Sequence, residues 1–267
     1  MKGGDDRDAT RARGRAGRRV IREEDYLRGR LAPFRRRVDR ALALIGGAAP
    51  PLGVAFSGGK DSTVVLDLVR RVFPDAVAGF YDSGAELADT MALVSVTPNV
   101  VTVPTDGGGL IELCRQNGYW GHEPEAPSPC VVDFGEALIF APARRFAREH
   151  GLHTVALGLR AGEAVVRRIN ARVKGEHYQV TDGAWHLCPL QWWTGDDVWA
   201  YIASRDLPYN AAYDKMDDLG IPRERQRIST ALGTDAAAFG RYVYLKHIDP
   251  ELWNRLAAEF PLIRKYT

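Results

Sequence analysis

The stretch that most constrains this chain is Val54-Ala55-Phe56-Ser57-Gly58-Gly59-Lys60-Asp61-Ser62-Thr63-Val64-Val65-Leu66. Residues 52–56 are an apolar run of strand length, which predicts a short buried strand. Gly58 and Gly59 lack a Cβ, so the backbone can turn sharply and approach a ligand closely. From Lys60 the apolar positions take helical spacing, and a helix start presents N–H groups and a positive dipole end. Strand, glycine turn and helix start together predict an anion cradle. Ser57 and Ser62 would add hydroxyl donors and Lys60 a point charge. This is not a Walker loop: Gly53 and Gly58 have the glycine spacing, but Lys60 falls one residue late and Asp61 follows it.

The remaining pattern alternates strands and helices. Residues 23–45 place Tyr26, Leu27, Leu31, Phe34, Val38, Ala41, Leu42 and Ile45 at spacings of three and four, an amphipathic helix with a break near Pro33. A helix is expected over 60–72, strands over 76–81 and 99–103, a helix over 134–150, a strand over 154–157 and a short helix over 161–170. Such alternation implies an α/β fold with a parallel twisted sheet and helices on both faces. Ligands of such sheets sit at the carboxyl ends of the strands, where the motifs below all fall. Thr194, with Asp197 three residues on, predicts a helix N-cap, and residues 250–260 a terminal helix. The organisation expected is a basic disordered arm (1–22), an N-terminal helix (23–46), an α/β domain that carries the glycine loop (47–215) and a helical C-terminal extension (216–267).

Charge is unevenly spread. Residues 1–40 hold Lys2 and 13 arginines against 7 acids, whereas the remaining chain holds 22 basic and 27 acidic residues. A basic arm on a mildly acidic body fits either a polyanionic partner such as nucleic acid or a solvated tail. No apolar run approaches membrane-spanning length, so no membrane association is expected. Cys114, Cys130 and Cys188 are too few and too far apart for a disulfide framework, which suggests a reducing cytoplasm.

Ser57-Gly58-Gly59-Lys60-Asp61-Ser62 resembles the pyrophosphate loop of the PP-loop ATP pyrophosphatases. That superfamily includes the PAPS reductases, the ATP sulfurylase small subunit and the ATP pyrophosphatases of DNA phosphorothioation and tRNA thiolation. Asp82-Ser83-Gly84-Ala85-Glu86, with Thr90, is similar to the D-[ST]-G-x-E-x(3)-T turn of the PAPS reductase-like family, which lies beside the nucleotide. The resemblance makes Asp82 a Mg²⁺ ligand. Gly158-Leu159-Arg160-Ala161-Gly162-Glu163-Ala164-Val165-Val166-Arg167 resembles the element G-x-R-x-x-E-[SA]-x-x-R. Arginines there would grip phosphate or sulfate oxygens through planar forks. Cys188-Pro189-Leu190-Gln191-Trp192-Trp193-Thr194 through Trp199, then Leu207-Pro208-Tyr209-Asn210 with Tyr213, continue the likeness and read as architecture. Altogether it covers residues 50 to 215.

The resemblance implies ATP and Mg²⁺ as ligands, with Ser57, Gly58, Gly59, Lys60, Asp61, Ser62, Asp82, Ser83, Gly84, Gly158, Arg160 and Arg167 around the nucleotide and Lys60, Asp61 and Arg160 in catalysis. Two departures shape the expectation. The reductases carry a catalytic cysteine in E-C-G-[LI]-H, and here no cysteine follows Cys188. Reductases also have a degraded loop without the lysine, and this loop is complete. Cleavage of ATP between its α and β phosphates is therefore expected, adenylating an acceptor in sulfur metabolism. The favoured role is sulfur incorporation into DNA, with a cysteine desulfurase as possible sulfur donor. Alternatives are a sulfate adenylyltransferase small subunit with a GTPase partner, a PAPS/APS reductase-like protein, and a non-catalytic ATP sensor. Cys130, ahead of an expected helix, reads equally as a persulfide carrier and as a small buried residue. Cys114 and Cys188 read as core.

Overall fold

The computed structural model describes residues 20–117, 133–181, 183–229 and 241–266. Their strands form one six-stranded sheet: β1 (Leu52–Ala55), β2 (Ala78–Asp82), β3 (Val100–Pro104), β4 (Thr154–Ala156), β5 (His177–Gln179) and β6 (Trp185–Leu187). The order is β3-β2-β1-β4-β6-β5. All neighbours run parallel except β5, which pairs antiparallel with β6. The order reverses at β1, whose two neighbours are β2 and β4. Right-handed crossovers therefore carry the chain over opposite faces on the two sides of β1. The crevice between the ends of β1 and β4 is the topological switch point, where such sheets bind ligands.

Eleven α-helices fall among the described residues. They are α1 (Glu23–Gly29), α2 (Ala32–Gly46), α3 (Lys60–Val72), α4 (Ala88–Val96), α5 (Gly109–Gln116), α6 (Ala141–Glu149), α7 (Val165–Lys174), α8 (Gly195–Arg205), α9 (Ala212–Asp218), α10 (Arg241–Ile248) and α11 (Pro250–Glu259). The break expected near Pro33 is real, and Pro33 sits in the first turn of α2, where a missing N–H costs no helical bond. Residues 161–170 are less regular than expected. A 3₁₀ turn over Ala161–Glu163 stops at Ala164, which is extended at φ −157°, and α7 begins after it. The helix expected over 134–150 opens as a π-turn, Glu136–Phe140, ahead of α6. Val20 and Ile21, at the end of the expected arm, are buried. Residues 1–19 and Cys130 lie outside the described residues.

The Thr194 cap forms as anticipated: Asp197 N donates to Thr194 Oγ1 at 3.1 Å and Thr194 N to Asp197 Oδ2 at 2.9 Å. Asp197 is fully buried, and Arg28 (3.0 Å) and Arg37 compensate its charge. These pairs fasten α1 and α2 to the N-terminus of α8. The core is continuous, and Leu245, Ile248, Leu252 and Leu256 of the terminal helices join it. No helix among the described residues is long and apolar enough to cross a membrane.

Phe146 of α6 is fully buried and lies against the strand glycines. A Cβ on Gly79 would sit 2.8 Å from Phe146 Cγ and Cδ1, and one on Gly53 would sit 3.3 Å from Cε1. A rigid ring cannot yield there. Gly79→Ala should therefore cost about 1–3 kcal/mol through overpacking, read as a lower urea midpoint with unchanged slope.

Candidate nucleotide site

The glycine loop leaves β1 at the switch point. Gly58 takes φ +69°, and a Cβ there would meet Thr90 Cγ2 at 3.1 Å. Two separate causes thus require glycine: the left-handed backbone and the wall formed by α4. Asn210 fixes that wall. Its Nδ2 donates to Thr90 Oγ1 at 2.8 Å and reaches Gly58 O at 3.5 Å. Ser62 Oγ donates to Gly59 O at 3.0 Å and accepts from Ser57 N at 3.2 Å. Ser62, expected as a phosphate donor, is therefore buried and knits the loop together. Ser57 remains exposed at the loop's edge. Lys60 N, expected to be open to an anion, donates to Tyr213 OH at 3.2 Å.

A charge chain crosses the switch point. Lys60 Nζ stands 2.8 Å from Asp61 Oδ2, and Arg160 Nε stands 2.5 Å from Asp61 Oδ1. Lys60 and Arg160 are both buried. Arg160 Nη2 continues to Glu163 Oε1 at 3.3 Å, and Glu163 pairs with Arg167. Arg167 thus meets the site through Glu163, on the half-exposed face of α7. Burial works to raise the Asp61 pKa, but the charges and hydrogen bonds of Lys60 and Arg160 outweigh it and hold the carboxyl below its usual range.

Gly158 has a packing reason that the sequence did not reveal. A Cβ there would lie 2.9 Å from Ser62 N and 3.0 Å from Asp61 C. Its bareness lets the turn after β4 touch the start of α3, so that Arg160 reaches Asp61. The role expected for Gly158, nucleotide contact, is thus preceded by a structural one.

The turn after β2 forms the second wall. Asp82 Oδ1 accepts from Gly84 N at 2.8 Å, and Gly84 is exposed at φ +75° with open space where a Cβ would stand. Ser83 is buried and donates to Glu86 Oε1 at 2.6 Å. Burial pushes the Glu86 carboxyl up, helped by the charge of Asp82 and opposed by the hydrogen bonds from Ser83. The terminal helix closes this turn from outside. Arg255 Nη2 donates to Gly84 O at 2.7 Å, and Asp249 Oδ2 accepts from Ala88 N at 2.7 Å.

Metal fit can be judged from these donors. Both Asp61 oxygens are taken by cations. Asp82 has one oxygen on Gly84 N and a second that meets no protein donor among the described residues. No group of three or more His, Cys, Asp or Glu able to hold a metal occurs among the described residues. One carboxylate oxygen suits Mg²⁺ only when phosphates and water complete the shell. Cys114 and Cys188 are buried, and burial pushes each thiol up to about 12, so neither is a ready nucleophile.

Sequence reasoning missed Thr90, Asn210, Tyr213, Asp249 and Arg255 as supports of the site. The first three stand inside motifs already noted, so their spacing was a usable signal. Arg255 lies 171 residues from its partner Gly84, and no local pattern announces that contact.

A glycine cradle at a sheet switch point, flanked by a buried lysine and arginine, is the architecture of a nucleotide-binding α/β protein. The chain belongs to the phosphoadenosine phosphosulfate reductase domain family, whose model matches residues 51–233. It is 32% identical over 191 residues to an adenosine 5'-phosphosulfate reductase of Geobacillus kaustophilus, covering 68% of this chain and 73% of that protein. It is 29% identical over 171 residues to a phosphoadenosine 5'-phosphosulfate reductase of Gloeobacter violaceus, covering 61% of this chain and 66% of that protein. The match thus spans about two thirds of the latter reductase's length. A solved PAPS reductase from Candida auris superposes with a TM-score of 0.48 at 20% identity, over 75% of this chain and 88% of that one.

The depressed Asp61 pKa has a defined sign. The ionised carboxylate contributes stability above its unfolded pKa of about 4, and that contribution is lost as pH falls through the folded value. Asp61→Asn should flatten this acid limb of the stability profile in urea titrations. At pH 7 it should cost about 3–5 kcal/mol, because two buried cations lose their counter-charge.

Proposed function

We propose that this chain binds ATP across the ends of β1, β2 and β4 and cleaves it between the α and β phosphates. The observation that carries this reading is the complete loop, with Lys60 and Asp61 both present and locked against Arg160 at the switch point. An acceptor oxygen would attack the α-phosphorus. The bond from that phosphorus to the bridging oxygen breaks, its electron pair leaves with pyrophosphate, and the acceptor is adenylated. Lys60 and Arg160 stabilise the charge that develops on the phosphates, and Asp61 holds the two cations at a fixed spacing beforehand. Gly58 and Gly59 give the polyphosphate close access to the backbone. Asp82 would hold Mg²⁺, which when bound neutralises phosphate charge. Displacement of the adenylate by a sulfur nucleophile would complete sulfur incorporation, with DNA as the favoured acceptor. Sulfate is the alternative acceptor.

The relatives' names favour a second reading, reduction of an adenylyl sulfate. That chemistry needs a nucleophilic thiol, and the two thiols among the described residues are buried ones of raised pKa. Only Cys130 is left for it within these 267 residues.

Purified protein with ATP and Mg²⁺ should release pyrophosphate, with sulfate or DNA stimulating as acceptor, and Lys60→Ala should lower the rate at least 100-fold. Sulfite release from adenosine 5'-phosphosulfate with a dithiol, lost in Cys130→Ser, would instead establish the reductase reading. ATP bound without turnover under every condition would leave a sensor.

A further inference from the structure

We infer that α2, Trp192 and α7 form one surface that binds single-stranded nucleic acid and leads it to Arg160. The inference deepens the nucleic-acid acceptor reading above and rests on it for its purpose, though the surface itself is defined by contacts independent of ATP.

Three contacts join parts of the chain that are distant in sequence. Arg40 of α2 pairs with Glu176, just beyond the end of α7, at 2.5 Å. Phe34 of α2 meets Trp193 edge to face at 5.8 Å. Gln191 O accepts from Ala161 N at 2.8 Å, which ties the same segment to the turn bearing Arg160. Trp192 stands between the last two contacts. Its neighbours on both sides are buried, while Trp192 itself is 45% exposed. An indole held on a fixed backbone and open to solvent is a stacking platform for an unpaired base.

The flanking helices supply charge. Residues 28–40 contain six arginines and one acid, and residues 160–176 contain five cations and two acids. Arg28, Arg37, Arg40, Arg160 and Arg167 are occupied by internal carboxylates. Arg36, beside Arg40 on α2, and Arg168 and Arg172 on α7 are exposed and enter no ion pair with a described residue. Such cations track a phosphate backbone.

The outer stripe of α7 selects the form of the ligand. Only Ala171 of this helix is buried, whereas Val165, Val166, Ile169 and Val173 are 56–79% exposed. A duplex offers phosphates to such a face. A single strand also offers unstacked bases, whose apolar surfaces match both the valines and Trp192. The strand would run past α7 to Arg160, which lies five residues before Val165 at the nucleotide crevice.

The test is fluorescence anisotropy of fluorescein-labelled 20-nucleotide single-stranded DNA, its RNA counterpart and the matching DNA duplex. The full chain is used without ATP, at 50 and 200 mM NaCl. Single strands should bind more tightly than the duplex, and the DNA and RNA probes identify the source. Trp192→Ala should weaken single-strand binding about 5- to 150-fold, the equivalent of one base stack. Arg168→Ala combined with Arg172→Ala should lower the salt slope by about 1.4, for two phosphate contacts. No binding at 50 mM NaCl would overturn the inference. So would binding that all three substitutions leave unchanged, since residues 1–19 would then do the work. Pyrophosphate release from ATP is measured separately, so loss of this surface and loss of the adenylating reading remain distinguishable.

Discussion

One carboxylate between two buried cations sets the terms for the rest of this molecule. Lys60 and Arg160 come from opposite sides of the switch point, one opening the helix after β1 and the other ending the turn after β4. Unpaired, two buried like charges at that separation would repel strongly. Asp61 turns the repulsion into a bridge, and the bridge closes only because Gly158 lets the two backbones touch. The position of the cations is thereby fixed before any ligand arrives, which is the condition under which charge stabilisation needs little reorganisation.

The second feature is the depth of support behind the loop. Asn210 braces Thr90, Thr90 walls in Gly58, and Tyr213 caps the first N–H of α3. Trp199 meets Tyr213 edge-on at 5.2 Å, so the aromatic segment that reads as architecture is the floor beneath the loop. Core packing and loop geometry are the same set of contacts here. An aromatic-to-small substitution at Tyr213 or Trp199 would act on the loop from behind.

How much of this was legible in the sequence depends on the range of the interaction. The strand from Leu52, the helix from Lys60 to Val72 and the Thr194 cap follow from local periodicity and spacing, and the structure places them where they were expected. The loop glycines were legible for the same reason, since a sharp turn between strand and helix demands them. The β5–β6 hairpin and α5 were not foreseen: three-residue strands carry too little alternation, and α5 opens on a run of left-handed glycines, Gly107, Gly108 and its own first residue Gly109, which carry no helical signal. The structural contacts of Ser62 and Gly158 were not legible because each is decided by what lies across the turn. Arg255 and Asp249 were invisible because their partners are more than 150 residues away. Cys130 and residues 1–19 of the arginine-rich arm lie outside the described residues and keep the standing of expectations.

The docking of the terminal helix on the Gly84 turn has a thermodynamic corollary. Arg255 and Asp249 hold the backbone of one wall of the crevice, and α11 buries its other face in the common core. A ligand that contacts the Gly84 turn would therefore be linked to the attachment of α11. A ligand that favours the ordered wall must by reciprocity tighten the helix, and any factor that peels the helix away must lower affinity by the same factor. The free energy that holds α11 on this turn is in this sense the upper bound on any coupling between the helix and the crevice.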